Sequence, residues 1–330
     1  MKRRLFPLLA AFVAALLSAC SGGQNGGGTM PSTQTGSESS AVLKQSASAV
    51  KGAGPQKALT VPKYSDYGER KNFLFVANFS EVDVYRLPLN NWSTPVATLT
   101  GFTDARDAKV DGNYLSVADK GGNTIYTYQI KHKDTFILVC QAYENSPTAE
   151  ETFGGQFYFV SNGLSTLQSF TSVTPCTPPS TSTSNGISGP NGLDVDYRAA
   201  YVANTPANTV TQYPLSLTNG EAPSATVNAP AATNVDIDKD DLYVTQNHSG
   251  SPQIVKFDVP LYNYSTPETW ANLPPCAGSV AYGIEAVKDR LYVSDSGCGK
   301  IYVFKLPINN YSSPLVTVNR GGAGLDVYKV

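Results

Sequence analysis

The sequence predicts an all-β fold built from repeated four-stranded antiparallel units, and three observations predict it. A strand-like phrase recurs as LFVAN (74–78), LSVAD (115–119), FYFVSN (157–162), AYVAN (200–204), LYVTQN (242–247) and LYVSDS (291–296). Each copy is followed by an alternating stretch marked by one aromatic: Tyr85, Tyr128, Phe170, Tyr213, Phe257 and Phe304, separated by 43, 42, 43, 44 and 47 residues. Helical periodicity is absent beyond the N-terminal segment. Self-similarity at such a period is the mark of a repeat architecture, and about 42 residues of period-2 alternation between turn residues make one four-stranded propeller blade.

The four strands can be assigned in order. Strand A is seen in GLDVD (192–196), NVDID (234–238) and GIEAV (283–287). The YVAN-like phrase is strand B and the aromatic-marked stretch is strand C. Strand D follows a Pro-containing loop, as in PVATLT (95–100) and PLVTV (314–318). Only 26 residues follow Phe304, and they end in GLDVYKV (324–330), a strand A without its blade, whereas residues 71–78 open directly on strand B. The expectation is a six-bladed β-propeller whose C-terminal strand completes the N-terminal blade and removes an open sheet edge.

The loop between strands C and D recurs as LPLNNWSTP (87–95), VPLYNYSTP (259–267) and LPINNYSSP (306–314). Its N-x-S triplets fit a glycosylation sequon, but Asn, Ser and Pro are also what turns require. The turn reading is adopted, with Pro88, Pro260 and Pro307 ending strand C. Trp92, Tyr264 and Tyr311 are expected to cover the blade edge.

The N-terminus reads as a targeting segment. Lys2, Arg3 and Arg4 precede an apolar run from Leu5 to Leu17, and LLSAC (16–20) follows. The run is shorter than the roughly 20 residues a spanning helix needs and suits a cleavable signal. Leu17-Ser18-Ala19-Cys20 resembles the bacterial lipobox, which implies a signal peptide over 1–19 and lipidation at Cys20. Ser21 in place of Asp implies sorting to the outer membrane, facing the periplasm or the cell surface. Residues 20–63, rich in Gly and Ser, are expected to form a flexible tether, and 64–330 to hold the propeller. Without Lys2, Arg3 and Arg4, the 24 cations fall to 21 against 26 acids, a formal charge of −5. No basic run follows residue 4, so nucleic acid is not an expected partner.

Cys140, Cys176, Cys276 and Cys298 remain after Cys20, an even number in an exported chain. Cys276 and Cys298 fall in loops on one face of the last blade and are expected to pair, leaving Cys140 to pair with Cys176.

AYVANTPANTVTQYPL (200–215) and LYVSDSGCGKIYVFKLP (291–307) resemble the YVTN and NHL classes of bacterial propeller repeats over the whole folded part. That resemblance implies a fold that hosts binding proteins and enzymes alike. PNGLDVD (190–196) is similar to a segment of the gluconolactonase and regucalcin propellers, in which the Asn ligates a central divalent metal. This maps to Asn191. The family's Asp falls on Thr233 and its Glu on Ala323 or Gly324, so one neutral ligand of three is kept, and a hard cation wants more oxygen donors than that.

The B–C and D–A loops share the face over the channel mouth. The B–C loops supply Asn78, Asp119, Lys120, Asn162, Asn204, Asn247, His248 and Asp295; the start of strand A supplies Arg106, Thr148, Asn191, Thr233, Tyr282 and Ala323. The candidate binding residues are Arg106, Asp107, Asp119, Asn191, Asn234, His248, Tyr282 and Asp295. There is no G-x-S-x-G elbow, and His132 sits in a charged run. The expected function is therefore a membrane-tethered envelope propeller that binds a small ligand or a protein without catalysis and without a cofactor. The alternatives are a lactonase-like hydrolase with altered metal ligands, using a divalent ion such as calcium, and a periplasmic scaffold subunit.

Overall fold

The computed structural model describes residues 72–131, 135–172, 174–248 and 251–329. The expectations placed on Cys20, the signal peptide, the tether and His132 fall outside these residues. The described residues form strands, turns and loops with no helix, and so none that could span a membrane.

The strands make five antiparallel sheets rather than the six separate blades expected. Four sheets have four strands in A-B-C-D order. They are Pro147–Phe153, Gln156–Ser161, Thr166–Phe170 and Thr181–Thr183; Pro190–Val195, Ala199–Asn204, Thr209–Pro214 and Ala225–Asn228; Ala232–Asp238, Asp241–His248, Ser251–Asp258 and Thr269–Asn272; and Ala281–Val287, Arg290–Asp295, Lys300–Lys305 and Val316–Asn319. The fifth has six strands: Leu325–Lys329, Asn72–Arg86, Ala97–Asp111, Tyr114–Asp119, Thr124–Lys131 and Thr135–Tyr143.

Two features merge the first two sequence repeats into that sheet. Asn72–Arg86 turns back at Phe79, whose φ is 53°, so that Leu87 N–H donates to Asn72 C=O at 3.0 Å. Ala97–Asp111 pairs first with Glu81–Val84 and then, through Phe79↔Ala105, runs on to pair with Tyr114–Asp119, so the ladder never breaks. The C-terminal strand does complete this sheet, with Val76↔Leu325 through Asn72↔Lys329 in register.

The core lies between neighbouring sheets. Tyr85, Tyr128, Phe170, Tyr213, Phe257 and Phe304 are buried, and each falls in a different apolar cluster. One ring per interface is why the marker recurs once per period. Burying such a side chain contributes about 1.5–3 kcal/mol, and the Tyr213 hydroxyl also donates to Asn185 C=O, which removes the cost of its polar tip. Both expected disulfides, Cys140–Cys176 and Cys276–Cys298, are formed.

The C–D loops show what N-x-S does here. Asn90 and Asn309 accept from the N–H of Trp92 (2.8 Å) and Tyr311 (2.9 Å), and the hydroxyls of Ser93, Ser265 and Ser312 accept from the N–H three residues back. The second Asn reaches the adjacent sheet: Asn91 accepts from Thr317 N–H, Asn263 from Thr226 N–H and Asn310 from Trp270 N–H. The expectation for the aromatics is overturned. Trp92, Tyr264 and Tyr311 are 89%, 81% and 95% exposed and cover no edge, because the Asn residues already seal the seam.

Candidate functional site at the central channel

Five of the six inner strands carry one extra residue near their start. Pairing steps from Ala105↔Asp119 to Asp107↔Ala118, from Pro147↔Ser161 to Ala149↔Val160, from Pro190↔Asn204 to Gly192↔Ala203, and from Ala232↔Gln246 to Asn234↔Thr245. The skipped residues are Arg106, Thr148, Asn191 and Thr233, and Tyr282 lies in the matching shift of the fifth copy. A bulge frees a side chain from the ladder and re-aims it, and the bulged positions are the ones the sequence places at the start of strand A.

Most of them are already engaged. Thr148 donates to Pro190 C=O (2.8 Å) and Thr233 to Ala281 C=O (2.7 Å), each bridging to the next inner strand. Asn191 donates its amide to the Thr205 hydroxyl at 2.6 Å, and that hydroxyl donates to Ala232 C=O. Asp119 accepts from the N–H groups of Thr103, Asp104 and Gly122; Asp295 accepts from Val280 and Cys298 N–H and from the Ser279 hydroxyl. Asp119 thus fastens a B–C loop to the continuous strand Ala97–Asp111, and Asp295 fastens a D–A loop to a B–C loop. Asn234 caps its own Val235 N–H, and His248 sits exposed at a strand end.

Arg106 and Tyr282 differ. The Arg106 guanidinium lies over the rings of Phe79 (5.1 Å) and Tyr282 (5.5 Å) and pairs with Asp104 at 2.8 Å. A cation held between two aromatic faces is positioned without losing its charge. Burial and the neighbouring Arg106 lower the pKa of Lys120.

One layer inward the channel is pinched. A Cβ on Gly192 would strike Asn234, one on Gly283 would strike Ala323 C=O, and one on Gly324 would strike Asp107. This settles how the residues fit the metal that the gluconolactonase resemblance implies. Asn191 is turned to Thr205, Thr233 is bonded to a carbonyl, and Gly324 leaves no space for a glutamate. The residues do not fit the group.

Below the pinch lies a ring that sequence reasoning missed. Lys109, Glu151, Asp194, Asp236, Glu285 and Asp326 occupy one register position, opposite Ser116, Tyr158, Tyr201, Tyr243, Tyr292 and Phe75 of their B strands. The Lys109 ammonium lies 3.0 Å from Glu151, 3.6 Å from Glu285 and 4.0 Å from Asp326. Three of the acids also stitch neighbouring inner strands: Asp194 accepts from Ile237 N–H, Asp236 from Ala286 N–H and Asp326 from Val110 N–H. Asp107, from the layer above, does the same for Glu150 N–H at 3.2 Å.

Burial dominates the titration of this cluster. It pushes Asp107 and Asp236 up to about 7 and Asp326 up to about 6, and it raises Asp194, Glu285 and Glu150 well above the usual carboxylate range. Burial opposes charge on Lys109 too, but Glu151, Glu285, Asp326 and Asp107 outweigh it and hold the ammonium protonated. The signal was present in the sequence, as one acid at the same point of GLDVD, NVDID, GIEAV and GLDVYKV.

No family model matches the chain, and no curated protein matches it. Solved structures do. A chain of a nidogen/laminin complex superposes with a TM-score of 0.58 at 14% identity, covering 78% of this chain and 98% of that one. A putative 6-phosphogluconolactonase from Bacteroides fragilis gives 0.56 at 14% identity, covering 78% and 84%. A functionally unknown protein from Desulfotomaculum acetoxidans gives 0.54 at 10% identity, covering 78% and 98%. The chain is a β-propeller. At such identities the likeness concerns the fold alone.

Proposed function

We propose that this protein is a non-catalytic binding propeller of the bacterial cell envelope, anchored through a lipid on Cys20, whose mouth receives a ligand or protein partner around Arg106, Phe79 and Tyr282. The observation that carries the reading is the position of Lys109. A cation at the centre of a carboxylate ring is supplied by the chain itself, and the mouth residues above it are spent on inter-strand bonds. What remains outward is an aromatic-clamped guanidinium, a group suited to recognition. The nidogen/laminin neighbour, a propeller crystallised in a protein complex, is compatible with such a use.

The competing reading is a calcium-dependent lactonase, after the neighbours so described. Calcium melts and lactone-opening assays separate the two. A native-state ligand raises the melting temperature by mass action, so the expected result is no shift and no lactone opening in millimolar calcium. Calcium-dependent opening of a sugar lactone would overturn the proposal. Arg106→Gln, with its melt measured alongside because the side chain is paired to Asp104, should lose crosslinking to the envelope partner.

A further inference from the structure

We infer that the face bearing the C–D loops is a membrane-docking surface, on which Trp92, Tyr264 and Tyr311 rest at the headgroup level of a bilayer. The three rings stand at the same point of three loops. Asn91 bonds to the sheet that carries Tyr311, and Asn310 to the strand that carries Trp270 next to the Tyr264 loop, so the loops are consecutive around the disc. Tyr262 stacks on Tyr264 with centroids 5.6 Å apart and planes 9° off parallel, and Trp270 is half-exposed beside them. The loop backbones are held by Asn and Ser bonds, so the rings are presented with little ordering left to lose on contact.

Chemistry and chain path select the occupant. Residues 87–95, 259–267 and 306–314 contain no charged side chain, which suits an interface where amphipathic Trp and Tyr rings collect. Arg198 pairs with Asp196 and Asp240, and Lys256 with Asp241 and Glu268, while Lys305 stands exposed beside the third loop, so the surround is mixed in charge rather than basic. A zwitterionic surface fits better than an anionic one. The chain also enters the fold here, because Asn72 C=O accepts from Leu87 N–H at the root of the first loop. Asn72, the first of the described residues, therefore lies on the aromatic side. A lipid on Cys20 would raise the effective concentration of this face at the bilayer. A weak docking face would then be populated, with the Arg106 mouth turned away from the bilayer.

The inference takes only the Cys20 anchor from the proposed function, and the mass of the exported chain reports that anchor separately. Trp92 and Trp270 are the only tryptophans, so a full-length Trp270→Phe protein reports Trp92 alone. Mixed with phosphatidylcholine vesicles containing brominated lipid, its Trp92 emission should move to the blue and lose at least half its intensity, unchanged by high salt. Tyr264→Ser with Tyr311→Ser should recover most of that intensity, and both positions are exposed enough to leave the melt unaltered. The readout is local to the loop and does not depend on how the N-terminus is held. Emission identical with and without brominated lipid would overturn the inference. So would a response confined to anionic lipid and abolished by salt, or a Trp92 shift produced by soluble β-glucan and not by vesicles.

Discussion

On the face of the B–C loops, Thr148 and Thr233 donate to carbonyls of the next inner strand, while Asp119 and Asp295 gather loop amides. On the face of the C–D loops, Asn91, Asn263 and Asn310 do equivalent work between outer strands, yet each stands next to a ring left in solvent. The fourth repeat shows that the ring is not needed for the seam. There Asn219 makes the same bond, to Ser182 N–H, and the following residue is Gly220. The comparison teaches that a recurring polar residue in a repeat protein is first a fastener. A recurring residue with no fastening to do is the better guide to function.

Three perturbations test that division, and the largest effect belongs to closure. Deleting residues 321–330 removes the strand paired with Asn72–Val76, the Asp326 bond to Val110 and the Ala77–Gly324 backbone bond. It opens an inner sheet edge, so cooperative thermal unfolding should be lost; a truncated chain that melts as sharply as the parent would break the closure argument. Next is Lys109→Met. Removing one member of a buried ionic cluster costs about 3–5 kcal/mol, to be read as a lowered urea midpoint. By contrast, Trp92→Ser on the other face should stay within about 0.5 kcal/mol, as surface substitutions do.

Much of the fold was legible because packing repeats with the sequence. One buried aromatic per inter-sheet cluster fixed the period, and the orphan GLDVYKV announced the closing strand. The merging of two repeats into one sheet was not legible, since the chain reverses at Phe79, a left-handed residue with no Gly or Asn to signal it. At the site, Asp119 and Asp295 look alike in sequence whether they hold a ligand or a loop, and only their amide partners decide. The ring acids were hidden for a different reason. Asp and Glu are rarely buried unless paired, so an acid within an alternating strand reads as its solvent face. Trp92, Tyr264 and Tyr311 misled in the opposite sense, as large rings that the fold leaves outside.

The pH profile is the most diagnostic test of the ring. Asp107 and Asp236 titrate near 7 and Asp326 near 6, raised by burial from an ordinary value near 4. Between these limits the folded protein holds protons that the unfolded chain has released. Acidification through that window therefore favours the fold, and stability falls as pH rises through about 7. Each such carboxyl contributes a slope of up to about 1.4 kcal/mol per pH unit. Glu144, pushed up to about 7 by burial, acts in the same direction, while Lys109 stays charged throughout and adds nothing to the slope. The expected profile is a melting temperature higher near pH 5 than near pH 8, opposite to that of a protein whose carboxylates are paired and depressed. Asp236→Asn keeps a carbonyl oxygen for Ala286 N–H and removes one titrating proton of several, so it should make the profile shallower, by up to about 1.4 kcal/mol per pH unit, rather than displace it. A wild-type melting temperature that falls on acidification would mean that the ring acids are ionised in the fold, and that Lys109 neutralises more of them than its three close contacts imply.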